Sequence, residues 1–222
     1  MTEDIDTEAD DAVDGELRVR AATAIRRLSH ALLSRHVEPA LLQDMAAGVG
    51  HLADRVEAGP PRRRPEGGMR ADVFDREEVA DGAVVRHYED CPVSGLANPL
   101  AAEIVARREG DGVRASVVLG PAFEGAPGRS HGGPVASMFD DVMGFLATVH
   151  RVPTYAGELT VRYLAPTPLG EELDVTAWVS ERHPRRMITK AEARHRGRTI
   201  AEATCIGVII GEDRLGRPAY EY

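Results

Sequence analysis

The sequence predicts an α+β domain in which an antiparallel sheet curls round one long helix, with a helical hairpin as an N-terminal extension. Three observations carry this reading. Between Gly133 and His150 the chain is apolar almost all the way round a helix, with Asp140 and Asp141 as its only acids and no Lys or Arg. Segments of alternating apolar and polar residues, punctuated by turn signals, stand on both sides of that helix in the chain. Residues 16–58 hold two single-faced apolar stripes at three- and four-residue spacing.

The chain opens on seven acids and no base in residues 1–15. Such a segment cannot bury apolar surface, so it reads as a solvated, disordered tail. It accounts for most of the formal charge of −9 and leaves the other residues near −2. A first helix is expected over 16–36, with Leu17, Ala21, Ile25, Leu28 and Leu32 as its stripe. A second is expected over about 39–58, with Pro39 in its first turn and Leu41, Met45, Val49, Leu52 and Val56 as its stripe. Together, residues 16–58 make the hairpin. Each helix has one apolar face and must pack on the main domain or on a second copy of the hairpin. His30, His36 and His51 read as surface or interface residues. Residues 59–70, GPPRRRPEGGMR, are a linker by composition. Arg62, Arg63 and Arg64 read there as a solvated basic run, with an anionic ligand as the alternative.

Residues 71–222 form the main domain. Its first stretch, 71–100, has no long period; Val84, Val85, His87 and Tyr88 are its candidate short strand. Strands are expected over 102–108 and 113–119 before the helix, and over 158–164, 173–181, 186–195 and 199–210 after it. Gly197 marks a tight hairpin between the last two. There is no internal repeat, GxGxxG, P-loop or HExxH. Scattered basic residues and 5% aromatics argue against a nucleic-acid protein. Cys91 and Cys205 make neither a metal pattern nor a disulfide framework, and Cys205 reads as a core residue. The acidic start is no signal peptide and no apolar run reaches transmembrane length, so a reduced cytoplasm is the expected compartment.

The stretch Gly120–His150 organises the rest. A loop rich in Gly and Pro runs into the apolar helix at His131, Gly132, Gly133 and Pro134. Proline suits a first helical turn, so the helix is expected to start at Gly133 or Pro134. Its unpaired N–H groups then face the loop and offer a place for negative charge developing on oxygen. An acid inside such a helix is costly unless it is paired or used.

At these residues the chain resembles hotdog-fold acyl-CoA thioesterases, above all the phenylacetate-degradation (PaaI-like) and thioesterase-superfamily-member types. The likeness rests on HGG followed, nine residues after the His, by a carboxylate on an apolar helix, within FEGAPGRSHGGPVASMFDD. It rests also on LTVRYLAPTPLGEEL, which resembles the strand after that helix. It covers roughly residues 97–211 and leaves out the first 70. It implies a hotdog fold and thioester hydrolysis with no metal or redox cofactor. It also implies a dimer with two shared sites, with a tetramer as a further option.

Thioester hydrolysis needs a group to hold the carbonyl oxygen, a group to supply or activate an attacking oxygen, and a surface for an anionic coenzyme. The N–H of Gly133 is assigned to the first, because glycine lets a carbonyl approach the backbone closely. Gly132 lines the same approach, and the bland reading is that both glycines merely permit the turn. Asp140 is assigned to the second, as nucleophile or as general base for water. Its bland reading is a buried, structurally paired acid. Gly133 and Asp140 are seven residues apart on one helix, about 10 Å of rise, so a single carbonyl reaches both only if they come from different subunits. His131 and Asp140 point apart on one chain; by resemblance His131 lies at the active site, where it lines the carbonyl pocket and is a further catalytic candidate. Asp141 would replace Asp140 under another helix phase and otherwise faces a polar interface.

By resemblance Arg185 and Arg186 meet the coenzyme phosphates, against an ordinary charged strand edge. Asn98 is a binding candidate against an ordinary turn residue before Pro99. His183 and His195 lack carboxylate or Cys partners at ligand spacing, so no metal site is expected. One position departs from the pattern. Relatives often carry Ser or Thr sixteen residues after the acid, where this chain has Ala156, with Thr154 two residues away. The expected function is acyl-CoA hydrolysis. A hotdog protein that only binds acyl-CoA or another ligand, or acts as an assembly partner through its hairpin, is the main rival. A hydratase is a second rival but would need a His–Asp pair at another spacing.

Overall fold

The computed structural model describes residues 3–62 and 77–211, with side chains from Asp14 onward. Most of the expected linker therefore lies outside the described residues. Two helices come first, α1 (Glu3–Ser34) and α2 (Pro39–Glu57). The acids expected as a separate tail belong to α1.

The sheet has seven strands in the order β1-β2-β3-β5-β6-β7-β4, every neighbouring pair antiparallel. They are β1 (Val84–Val85), β2 (Glu103–Glu109), β3 (Gly112–Val118), β4 (Thr154–Tyr163), β5 (Glu172–His183), β6 (Arg186–His195) and β7 (Arg198–Ile209). Between β3 and β4 runs α3 (Gly132–His150). It carries the chain past three later strands to the far edge, and the sheet curls round it, touching it from β1 and from β3 through β7. This is the architecture predicted, a sheet wrapped on a central helix.

Alternation explains the wrapping. Val113, Ala115 and Val117, Leu173, Val175 and Ala177, Ala191 and Ala193, and Ala201, Ala203 and Cys205 all point to one face and are buried. Against them α3 sets Val135, Met138, Phe139, Val142, Met143, Phe145, Leu146 and Val149. Alanine on so many inward positions leaves room for the helix to lie close. β6 and β7 are joined through Arg196 (φ 49°) and Gly197 (φ 79°), both left-handed, as a two-residue hairpin requires. β4 begins at Thr154, earlier than its pattern implies, because a bulge at Gly157 breaks the alternation. Before the bulge Thr154 pairs with Ile209 and Ala156 with Gly207, and Ala156 is exposed. Among the described residues, no helix is long and apolar enough to cross a membrane.

Candidate active site

The loop before α3 is fixed on both sides. A 3-10 turn, Pro121–Phe123, leads into it. The Phe123 carbonyl accepts from His131 N–H at 2.8 Å, and Ser130 N–H donates to the Thr167 carbonyl at 2.9 Å. Gly125 has to be small, since a Cβ there would stand 2.8 Å from His131 Cα. His131 is thereby placed as the N-cap, and its Nδ1 accepts the Gly133 N–H at 3.0 Å. The helix starts at Gly132, one residue ahead of the expected boundary, and Pro134 falls in its first turn. From the end of β4, the Tyr163 hydroxyl donates to the Gly132 carbonyl at 2.9 Å. Two consequences follow. The donor assigned to a substrate carbonyl is engaged by the imidazole of its own cap. Tyr163, part of the LTVRYLAPTPLGEEL run but given no role there, is a neighbour of the helix start.

The two adjacent acids have opposite surroundings. Asp141 is buried and turns into the chain. Its Oδ1 accepts from Cys91 Sγ at 3.1 Å and lies 3.7 Å from His87 Nε2, while its Oδ2 is buried without a hydrogen-bond partner. The His87 ring stacks on Phe145, with centroids 4.2 Å apart, and its Nε2 is 3.3 Å from the Asp141 carbonyl oxygen. The expectation that Asp141 faces a polar interface is corrected: it is the structurally paired acid. Asp140 is exposed. It continues an open stripe, Gly133, Ser137 and Asp140, at four- and three-residue spacing on a helix that is otherwise largely enclosed. The protein packed beside Asp140 still removes part of its hydration. That loss, with repulsion from Asp141, pushes its pKa up, and His87 opposes the rise. On the β7 side it faces Cys205, whose thiol is pushed up by burial and by the Asp140 charge, and which bonds with Thr189 of β6.

The remaining candidates divide. Asn98 is committed locally: its Oδ1 accepts from Leu100 N–H at 2.9 Å and its Nδ2 donates to the Asp90 carbonyl at 3.0 Å. That is a turn role. Arg185 and Arg186 are exposed at the β5–β6 turn, and among the described residues neither is in an ion pair with a carboxylate. Other arginines are paired, Arg114 with Asp174, Arg162 with Glu202 and Arg108 with Glu78. Contrary to expectation, His183 and His195 each have a carboxylate neighbour, Glu181 at 3.2 Å and Glu171 at 2.6 Å. Each has one only, and among the described residues no group of three or more His, Cys, Asp or Glu is arranged to hold a metal ion. A surface groove lined by Arg107, Arg108, Arg114, Glu172 and Asp174 is distinct from the stripe of α3, and two of its arginines are already neutralised.

The fold has a counterpart among solved structures. The crystal structure of a thioesterase superfamily protein overlays with a TM-score of 0.71 at 26% identity, over 86% of this chain and 90% of that one. The chain is a hotdog-fold member of the thioesterase superfamily. A family model described as fluoroacetyl-CoA-specific thioesterase matches residues 151–213, which hold the last four strands and not α3. Acyl-coenzyme A thioesterase THEM4 of Xenopus laevis is 35% identical over 75 residues, so the match spans about a third of that protein (34%) and the same share of this chain. Within the superfamily pattern, Ala156 now has a place. It pairs with Gly207 from the edge strand β4, is exposed in the single chain, and presents no hydroxyl there.

Proposed function

We propose that this thioesterase-superfamily protein hydrolyses acyl-CoA thioesters at sites shared between two copies of the chain. The observation that carries the reading is the open stripe Gly133–Ser137–Asp140, with its partly desolvated acid, on a helix enclosed nearly everywhere else. The acyl-CoA substrates named for its relatives agree with it. Asp140 as carboxylate takes a proton from water, and the oxygen adds to the thioester carbonyl. The resulting oxyanion is held at the α3 start, where Gly133 N–H exchanges its bond to His131 Nδ1 for one to the substrate. The C–S bond then breaks, and the coenzyme thiolate takes up the proton. Direct attack by Asp140 through an anhydride is the other form of the same assignment.

Two copies are needed because about 10 Å of helix separates Gly133 from Asp140. The edge strand β4, which exposes most of its residues, is the surface on which the second copy completes the site. Arg185 and Arg186 meet the coenzyme phosphates. Buried free thiols at Cys91 and Cys205 suit a reducing, cytoplasmic setting. The test is release of free coenzyme A thiol across a panel of acyl-CoA esters by the wild type and by Asp140→Asn. Turnover of some member, largely lost in the variant, supports the assignment.

A second reading, binding without turnover, draws on Ala156 and on the engaged Gly133 donor. Saturable acyl-CoA binding with no thiol release from any ester would establish it.

A further inference from the structure

The peptide between Gly132 and Gly133 is gripped at both ends. Its N–H, the donor assigned to the substrate carbonyl, bonds His131 Nδ1 at 3.0 Å. Its C=O, on the opposite side of the same trans unit, accepts from the Tyr163 hydroxyl at 2.9 Å. A carbonyl has two lone pairs, so this bond stands beside the one that the α3 ladder makes there. The tyrosine is itself fixed in position. It pairs with Ala201 at the end of β4, and the next two N–H groups, of Leu164 and Ala165, both donate to the Ile200 carbonyl, at 2.9 and 3.0 Å. Its ring lies beside Gly132, where a Cβ would come 3.2 Å from the hydroxyl oxygen and 3.3 Å from Cζ. Glycine at 132 therefore leaves the ring its space.

We propose that Tyr163 is a positioning residue for the oxyanion donor: it holds and polarises the Gly132–Gly133 peptide from the carbonyl end. The inference rests on the proposed thioester hydrolysis and deepens it. Turnover requires Gly133 N–H to leave His131 Nδ1 for the substrate oxygen, and the peptide then loses its grip on that side. It lies in the first turn of α3, where helix ends fray, and neither glycine has a side chain to restrain it. The Tyr163 bond stays on the far side while the N–H changes partner. A hydrogen bond to an amide carbonyl also draws electron density from the nitrogen, so the N–H becomes a stronger donor. Tyr163 does this without touching the acyl-CoA.

The test is Tyr163→Phe in the full chain, which removes one hydroxyl and keeps the ring. With an acyl-CoA ester that the wild type hydrolyses, kcat should fall about 3- to 10-fold, the loss of one hydrogen bond, while KM holds. Nuclear magnetic resonance gives a second readout at the peptide itself. The Gly132 carbonyl carbon and the Gly133 amide nitrogen should both shift, with changes confined to the start of α3 and the end of β4. Several results overturn the proposal. Unmoved Gly132 and Gly133 resonances mean that the grip is not made in solution. Shifts spread along the whole of α3 and β4 make Tyr163 a structural tie. Local shifts with an unchanged kcat mean that the grip does not serve the donor. A raised KM at unchanged kcat makes Tyr163 a substrate contact. No thiol release from any ester by the wild type is a separate failure: it removes the hydrolysis reading, and with it the catalytic use of the grip, while the resonances still show whether Tyr163 holds the peptide.

Discussion

Asp140 and Asp141 are neighbours in the chain, and their different surroundings dictate different outcomes on substitution. Asp140→Asn is expected to cost about 10²–10⁴-fold in kcat/KM, the range of a general base. It should not lower Tm at neutral pH. The fold raises the pKa of Asp140, so the stability that goes with its neutral form is present at low pH and is lost as pH rises through that pKa. An uncharged amide avoids this loss, and thermal unfolding beside the thiol assay checks both halves. The pH profile gives a second test. Activity should rise with pH as Asp140 ionises. Asp141→Asn removes a like charge and moves that rise to lower pH, while His87→Gln removes an opposing influence and moves it to higher pH. Shifts in the same direction would be inconsistent with this assignment. The residues behind these predictions were unequally legible. HGG and the acid nine residues later are local, and the resemblance to hotdog thioesterases made them legible. Which acid stays open is decided by His87 and Cys91, 54 and 50 residues earlier in the chain, and no periodicity joins positions so far apart.

At the level of elements, the docking of α1 rests largely on polar contacts and should respond to pH. His30 Nδ1 accepts the Ala122 N–H at 2.9 Å, its ring meets Phe123 edge-on at 5.7 Å, and Arg26 donates to the Asn98 carbonyl at 2.8 Å. His30 is therefore held neutral. Burial lowers its pKa, Glu103 opposes, and Arg26 adds to the lowering. An undocked His30 takes its proton first, so docking should weaken as pH falls below about 6.5. Hydrogen exchange of residues 14–34 should accelerate over that interval, and His30→Ala should remove the pH dependence. Loss of the one hydrogen bond corresponds to about a 3- to 10-fold change in exchange. Gly120→Ala should loosen the same contact at all pH values, since its Cβ would lie 2.6 Å from His30 Cε1. The existence of α1 was plain from its leucine stripe. Its docking face was not, because that face is polar and small and is held by hydrogen bonds to loops, which leave no apolar period. The strands β3, β5, β6 and β7 were legible for the opposite reason: one face of each is buried, and alternation records it. The expected start of β4 falls short only where the Gly157 bulge interrupts that record.

For the whole molecule, one chain holds the parts of the proposed site about two turns apart on one helix, and the account requires two chains to bring them together. Sequence alone displayed the separation, because helical rise converts seven residues into about 10 Å. It did not display the exposed length of β4 or the stripe on α3 that a second copy would cover. The decisive measurement is complementation between two defective copies, Asp140→Asn and Gly133→Val, the second filling the carbonyl approach beside His131 Nδ1. Each variant alone should be nearly inactive. Co-expressed and randomly paired, half of the dimers are mixed and hold one intact site of two, so about a quarter of wild-type thiol release should return. Activity that stays at the level of the separate variants, in a sample shown to contain mixed dimers, would contradict the shared site and place the whole reaction within a single chain.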